Sequence, residues 1–253
     1  MKEINKMIVG SIKEDLALEK RVSLTPETAK NIIGLGLKVC IEKNYAIHLG
    51  INDNEYSNIG VKIEPSFKEV MSSSNLIIKV NCPSENEISI LEENKILIGM
   101  FNPSKNKDQI DKIINKKVKV FSLELLPRIT RAQSMDVLSS QSNLAGYRAV
   151  IDSVAEFEKA VPMMMTAAGT VPAAKVLVIG AGVAGLQAVA TAKRLGAIVS
   201  ATDVRAASKE QVESLGGKFL TVEQSEDMET AGGYAKEASD VYKKKQAEMM
   251  KDA

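Results

Sequence analysis

At 253 residues the chain can form one large domain or two ordinary ones. Its 45% hydrophobic and 26% charged residues are ordinary for a globular protein, and a formal charge of +1 gives no global signature for nucleic-acid binding. The lack of any apolar run of about 18 residues argues against a membrane span. The charged start at Lys2, Glu3 and Lys6 is unlike a secretory signal, and a single histidine, His48, excludes a histidine-based metal cluster.

Short runs rich in Ile, Val and Leu, bounded by turn residues, predict strands over 7–11, 38–41, 76–80, 96–100 and 118–122. Cys40 and Cys82 fall on two of these apolar stretches or beside them, and read as reduced, buried thiols. Helical patterns lie between the strands. Thr25, Pro26 and Glu27 supply an N-cap, a proline at the first helical position and an acidic first turn, and Gly34 and Gly36 close that helix. Further helices are predicted over 66–71, 85–91 and 107–115. Such alternation implies a parallel sheet with helices on both faces.

Residues 127–136 break this rhythm with Arg128, Thr130, Arg131, Gln133, Ser134 and Asp136. Following a strand directly, they should lie at its carboxyl end, the edge where open α/β sheets bind ligands. Such side chains can clamp a carboxamide, a ribose or a carboxylate. They can equally form a solvated loop, with Asp136 or Ser134 capping the next helix. That helix is predicted over 137–159, with Leu144, Tyr147, Ile151, Val154 and Phe157 on its buried face. The Met163–Met165 run reads as packing filler, and Gly169 and Pro172 as a hinge.

From Lys175 the pattern is strand 175–179, helix 183–195, strand 198–202, helix 208–215, strand 218–222. This is a βαβαβ unit, one mononucleotide-binding half of a doubly wound sheet. A polar loop over 223–233 and a charged helix over 234–251 follow. Gly180, Gly182 and Gly185 spell GxGxxG between the first strand and its helix. The first glycine permits the tight turn, the second lets backbone approach a pyrophosphate, and the third lets helix pack on strand. The helix amides then face the phosphates with a favourable dipole. Asp203 ends the next strand, where a carboxylate accepts from ribose hydroxyls and repels a 2′-phosphate. Arg205 could hold such a phosphate, but the strand-end place of Asp203 favours NAD over NADP. A glycine-rich turn made for packing alone, with Asp203 as a surface turn residue, is the other reading.

The fold class is therefore α/β, with two doubly wound, Rossmann-like parallel-sheet domains, the second truncated after its third strand. The expected division is an N-terminal domain over 1–136, a linking helix and hinge over 137–168, and the first half of an NAD-binding domain over 169–253. A sheet stopping at its third strand leaves an edge uncovered, so the chain is expected to be a piece of a longer protein.

Several stretches together resemble a known family: residues 127–136 (Pro-Arg-Ile-Thr-Arg-Ala-Gln-Ser-Met-Asp), 138–148 (Leu-Ser-Ser-Gln-Ser-Asn-Leu-Ala-Gly-Tyr-Arg), 175–185, 202–205 and 232–237 (Gly-Gly-Tyr-Ala-Lys-Glu). It is the alanine dehydrogenase/transhydrogenase family, in particular the NAD(H)-binding domain of proton-translocating NAD(P) transhydrogenase alpha subunits. The resemblance starts near Met7 and covers essentially the whole chain, and Arg-Ala-Gln-Ser-Met-Asp is its most specific stretch.

The resemblance implies an enzyme subunit that passes hydride directly between NADH and NADP(H) bound on a partner, coupled to proton movement through a membrane component. Such transfer needs no general acid or base, because the protein supplies position and electrostatics. By position, Arg128, Gln133 and Asp136 would stand at the reacting centre and, with Ser139, hold the nicotinamide and its ribose, with Ile129, Thr130 and Arg131 beside them. Gly180, Ala181, Gly182 and Val183 would underlie the pyrophosphate, and Asp203, Val204 and Arg205 would serve the adenosine ribose and adenine. Gly233 and Tyr234 would belong to a mobile loop over the cofactor, and Gln246 would approach the site. No metal is implied. The implied partners are an NADP-binding beta subunit and a membrane component, around a homodimer peripheral on the cytoplasmic side of the inner membrane, with no nucleic acid and no span of its own.

Two other readings stand beside it. One is an alanine-dehydrogenase-like amino-acid dehydrogenase, whose look is shared from Lys13-Glu14 through Arg21-Val22 to Thr25-Pro26, with Arg21 and Lys79 where that family contacts its keto acid. Its substrate-site histidine is absent, Met100-Phe101-Asn102 occupying the neighbourhood, so Arg21 and Lys79 read as structural. The other is an NAD-binding module without activity.

Overall fold

The first sheet begins with β1 (Ile8–Ser11) at its centre and grows outward on both sides. In the computed structural model, which describes residues 7–127, 129–205, 207–221 and 240–251, the chain divides into two units, Met1–Met135 and Asp136–Ala253. In the first unit β1 pairs in parallel with β2 (Lys38–Glu42) on one side and with β4 (Leu76–Ile78) on the other. Outside these lie β3 (Lys62–Glu64), then β5 (Ile96–Gly99) and β6 (Lys119–Ser122), giving the all-parallel order β3-β2-β1-β4-β5-β6. The order reverses between β1 and β4, the switch point of a doubly wound sheet.

Side chains alternate between the two faces of this sheet. Cys40 packs on one face with Ile77, Leu97 and Phe101, while Val39 and Ile41 pack on the other with Tyr45 and Tyr56. The helices covering the faces are short and locally fixed. Thr25 and Thr28 form a reciprocal capping box at the start of α1 (Pro26–Gly34), and Ser84 and Glu87 do the same at α4 (Glu85–Ile90). Between them lie α2 (Asp53–Ser57) and α3 (Phe67–Ser73), and α5 (Lys107–Asn115) precedes β6. Neither α2 nor β3 is predicted from sequence. Three residues carrying one apolar side chain give β3 no periodic signal.

The second unit opens with α6 (Val137–Glu156), whose close neighbour is α7 (Val183–Arg194). A β-carbon on Gly146 would strike the Ala184 carbonyl, so the two helices approach to backbone contact. This corrects the expected buried face of α6. Leu144, Tyr147 and Phe157 are exposed, whereas Gly146 and Val150 are buried and Val154 is packed against the same core. The helix is apolar on more than one side, and the close approach at Gly146 selects which side faces inward. Residues 163–171, expected as filler and hinge, hold an antiparallel pair, β7 (Met164–Thr166) with β8 (Gly169–Val171).

The βαβαβ unit forms as predicted, with β9 (Lys175–Ile179), α7, β10 (Ile198–Thr202), α8 (Ser208–Ser214) and β11 (Lys218–Phe219) in the parallel order β11-β10-β9. Valines and alanines fill its core, among them Val178, Val189, Ala192, Val199, Ala201 and Val212. The last described element is α9 (Asp240–Lys251).

Candidate functional site

The chain leaves β9 through a glycine turn whose three glycines have three different reasons. Gly180 has φ +91°, a backbone conformation that costs an L-residue strain. A β-carbon on Gly185 would collide with the Gly180 carbonyl, so only glycine lets α7 start this close to the strand. A β-carbon on Gly182 would meet nothing but the Arg205 guanidinium, at 3.7 Å. Backbone conformation therefore demands glycine at 180 and packing demands it at 185, while 182 faces open space. Gly182 is also the N-cap of the 12-residue α7, whose first-turn amides lack intrahelical acceptors. A cradle of backbone N–H groups at the positive end of a helix dipole, kept clear of side chains, fits a pyrophosphate.

The turn is tied to the next strand. The Gly180 amide donates to the Thr202 carbonyl at 2.8 Å, and the Ala181 amide donates to Asp203 Oδ2 at 2.6 Å. Asp203 Oδ1 accepts from the Arg205 amide at 2.8 Å and from Arg205 Nε at 2.9 Å, while Oδ2 also accepts from Arg205 Nη2 at 2.9 Å. Four hydrogen bonds thus converge on this one carboxylate. Burial works against ionisation of Asp203, but the Arg205 side chain and amide, together with the Ala181 amide, outweigh it and hold the carboxyl below its ordinary value. Asp203 and Arg205, both expected at an adenosine, form one clamp. The sequence signal for it, an Asp-x-Arg spacing after a strand, becomes readable only once the backbone brings residue 205 back over 203. Thr202 Oγ1, fully buried beside the clamp, makes no hydrogen bond.

The Gly180, Ala181, Gly182, Val183, Asp203, Val204 and Arg205 positions thus come together at one sheet edge. Ala181 is buried and Val183 is exposed. In the first unit, residues 129–135 do not follow β6 directly. A 3-10 turn at Leu123–Leu125 intervenes, and a second one, Thr130–Met135, carries the block. It buries Ala132 and presents Ile129, Thr130, Arg131 and Gln133 outward. Asp136 starts the second unit as the N-cap of α6, accepting from the Ser139 amide at 2.9 Å and the Ser139 hydroxyl at 2.6 Å. Gln246 is half-buried on α9. Arg128, Gly233 and Tyr234 lie outside the described residues.

The first unit also holds a buried charge cluster. Lys79, with a side chain 5% exposed, donates to both oxygens of Glu87 at 2.8 and 3.0 Å and lies 3.7 Å from Glu14, itself 5% exposed. Glu14 also accepts from the Val80 amide at 2.7 Å. Burial raises the Glu14 pKa, with Lys79 opposing the shift. Arg21 pairs with Glu19 at 2.6 Å. Both cations that could receive a keto acid are thus held by the chain's own carboxylates. Cys40 and Cys82 are free thiols, and burial pushes Cys82 up to about 11, where little thiolate forms.

A βαβαβ half-sheet with a clear glycine cradle and a strand-end carboxylate defines the doubly wound, dinucleotide-binding class of domain. Residues 10–145 match the family of the alanine dehydrogenase/PNT N-terminal domain, and residues 149–251 that of the alanine dehydrogenase/PNT C-terminal domain. The chain is 50% identical over 249 residues to a Rhodospirillum rubrum protein, the first of the pieces that make up its NAD(P) transhydrogenase subunit alpha, covering 96% of this chain and 65% of that protein. The protein of the same name from Rickettsia prowazekii is 46% identical over 248 residues, with the same coverages of 96% and 65%. A solved transhydrogenase structure from Sinorhizobium meliloti superposes with a TM-score of 0.81 at 50% identity, covering 85% of this chain and 64% of that one. The chain belongs to the alanine dehydrogenase/PNT family, and it spans 65% of the length of these curated relatives. Among the described residues, no helix is long and apolar enough to cross a membrane.

Proposed function

We propose that this chain is the NAD(H)-binding portion of an NAD(P) transhydrogenase, and that it positions NAD(H) for direct hydride exchange with NADP(H) held on a partner subunit. The observation that carries this reading is the open space at Gly182, between one glycine that its backbone conformation requires and one that packing requires. When bound, the nicotinamide supplies the hydride chemistry itself. The chain's residues bind and orient. The Gly182 and Val183 backbone receives the pyrophosphate at the start of α7, and Asp203, with Val204 and Arg205 beside it, serves the adenosine ribose. Arg128, Gln133, Asp136 and Ser139 hold the nicotinamide and its ribose, flanked by Ile129, Thr130 and Arg131. Gly233 and Tyr234 close over the cofactor, and Gln246 approaches it. The partners are an NADP-binding beta subunit and a proton-conducting membrane component, with the subunit acting as a homodimer at the cytoplasmic face of the inner membrane.

An amino-acid dehydrogenase reading requires a free cation for a keto acid, and the engagement of Lys79 by Glu14 and Glu87 speaks against it. The test supplies NADH, an NADP analogue with a distinct absorbance and the NADP-binding subunit to the chain. Reduction of the analogue, dependent on both proteins, is the expected result. NADH oxidation driven by a keto acid and ammonium without any partner would establish the dehydrogenase instead.

A further inference from the structure

The common account of a strand-end aspartate is that its charge repels a 2′-phosphate. Here that charge is neutralised by the chain itself. The Arg205 guanidinium lies flat against the Asp203 carboxylate through Nε and Nη2, both at 2.9 Å, with side-chain exposures of only 19% and 6%. A unit negative charge with a unit positive charge at contact distance has little field left to exclude a third group. The same guanidinium stands 3.7 Å from the place of a Gly182 β-carbon, at the mouth of the cradle. Arginine's planar fork suits a phosphate as well as a carboxylate.

Resting on the NAD(H) reading above, we propose that Arg205 is a latent 2′-phosphate ligand and that Asp203 enforces selectivity for the unphosphorylated nucleotide chiefly by keeping Arg205 occupied. The carboxylate acts as a competitor for the arginine: a 2′-phosphate finds the guanidinium already engaged. Without the Asp203 carboxylate, Arg205 is already at the site and its fork turns from the lost acceptor to the phosphate.

A double-mutant cycle tests this by equilibrium binding of NADH and NADPH to the 253-residue chain. The variants are Asp203→Asn, Arg205→Gln and the pair together. Asp203→Asn removes the charge but keeps an oxygen that accepts from the Ala181 amide, and circular dichroism checks that each variant folds. An Asp203→Ser variant repeats the measurement should the asparagine protein misfold. Wild type binds NADH more tightly than NADPH. Removing the Asp203 charge raises NADPH affinity about 10- to 100-fold, the worth of hydrogen bonds to a charged group. Arg205→Gln alone brings no gain for NADPH, and adding it to Asp203→Asn abolishes the gain. A gain that survives in the double variant overturns the proposal, since the carboxylate charge alone would then discriminate. An unchanged NADPH affinity in Asp203→Asn overturns it too. Wild-type protein that binds neither nucleotide removes the NAD(H) reading itself, an outcome distinct from either.

Discussion

The three glycines of the turn invite opposite predictions, because a methyl group meets a different environment at each. On Gly185 it would collide with the Gly180 carbonyl, and backbone on both sides leaves nothing flexible to yield. Gly185→Ala should therefore destabilise the second unit by about 1–3 kcal/mol, read by denaturant titration. The Asp203 clamp predicts a pH effect. A carboxyl whose pKa is depressed in the folded state contributes stability above its unfolded value, near 3.8, and loses it as pH falls through the lower folded value. Asp203→Asn should flatten the loss of stability between 3.8 and that lower value, and a wild-type-like profile there would mean the clamp does not hold in solution. At this scale the motif glycines are legible in sequence because each follows from a spacing. The Asp203–Arg205 bond is not, since it depends on how the turn after β10 folds back.

Elements with strong periodicity are legible in the sequence, and short or exposed ones are not. The five expected strands of the first sheet and the βαβαβ order of the second unit all appear, and every strand among them except β6 and β11 buries at least one branched residue. The pair β7–β8 is exposed along every residue, so no burial pattern marks it. The inward face of α6 escapes a reading by periodicity because its apolar residues run round the helix, and the deciding contact, Gly146 against Ala184, is tertiary. Lys95 gives another tertiary device that its identity conceals. Its side chain is buried and its ammonium donates to the carbonyls of Met71, Ser72 and Ser74 at 2.6, 2.8 and 2.8 Å, closing the end of α3. Lys95→Met keeps the apolar stem and removes these donors, and it should cost about 1–3 kcal/mol in thermal or chemical unfolding of the first unit. A loss within error of zero would show that water replaces the ammonium.

Across the whole molecule, one topology carries two different outcomes. Both units run a parallel sheet in the 3-2-1 sense from their first strand, yet only the second has GxGxxG after that strand. In the first unit β1 is followed by the stretch holding Glu14, Glu19 and Arg21, whose charges are turned on one another and on Lys79. The fold is therefore shared, and what sets the second unit apart is the glycine turn and the clamp beside it, to which the proposed function assigns the nucleotide. The family is legible because the Arg-Ala-Gln-Ser-Met-Asp block and the glycine turn are local in sequence. The role of residues 129–139 is not, because exposed polar side chains on a 3-10 turn carry no burial or spacing pattern that names a ligand.

The central claim, that the open cradle at Gly182 receives the dinucleotide, is tested most directly by calorimetric titration of NADH into wild type and Gly182→Ala. The substitution suits the local φ of −77° and meets only the arginine in ordinary contact, so the variant should fold, at a cost of no more than about 1 kcal/mol for alanine at an N-cap. Its methyl group fills the space meant for the pyrophosphate, so NADH affinity should fall at least tenfold, about 1.4 kcal/mol. A folded Gly182→Ala protein that binds NADH as tightly as wild type would contradict the account.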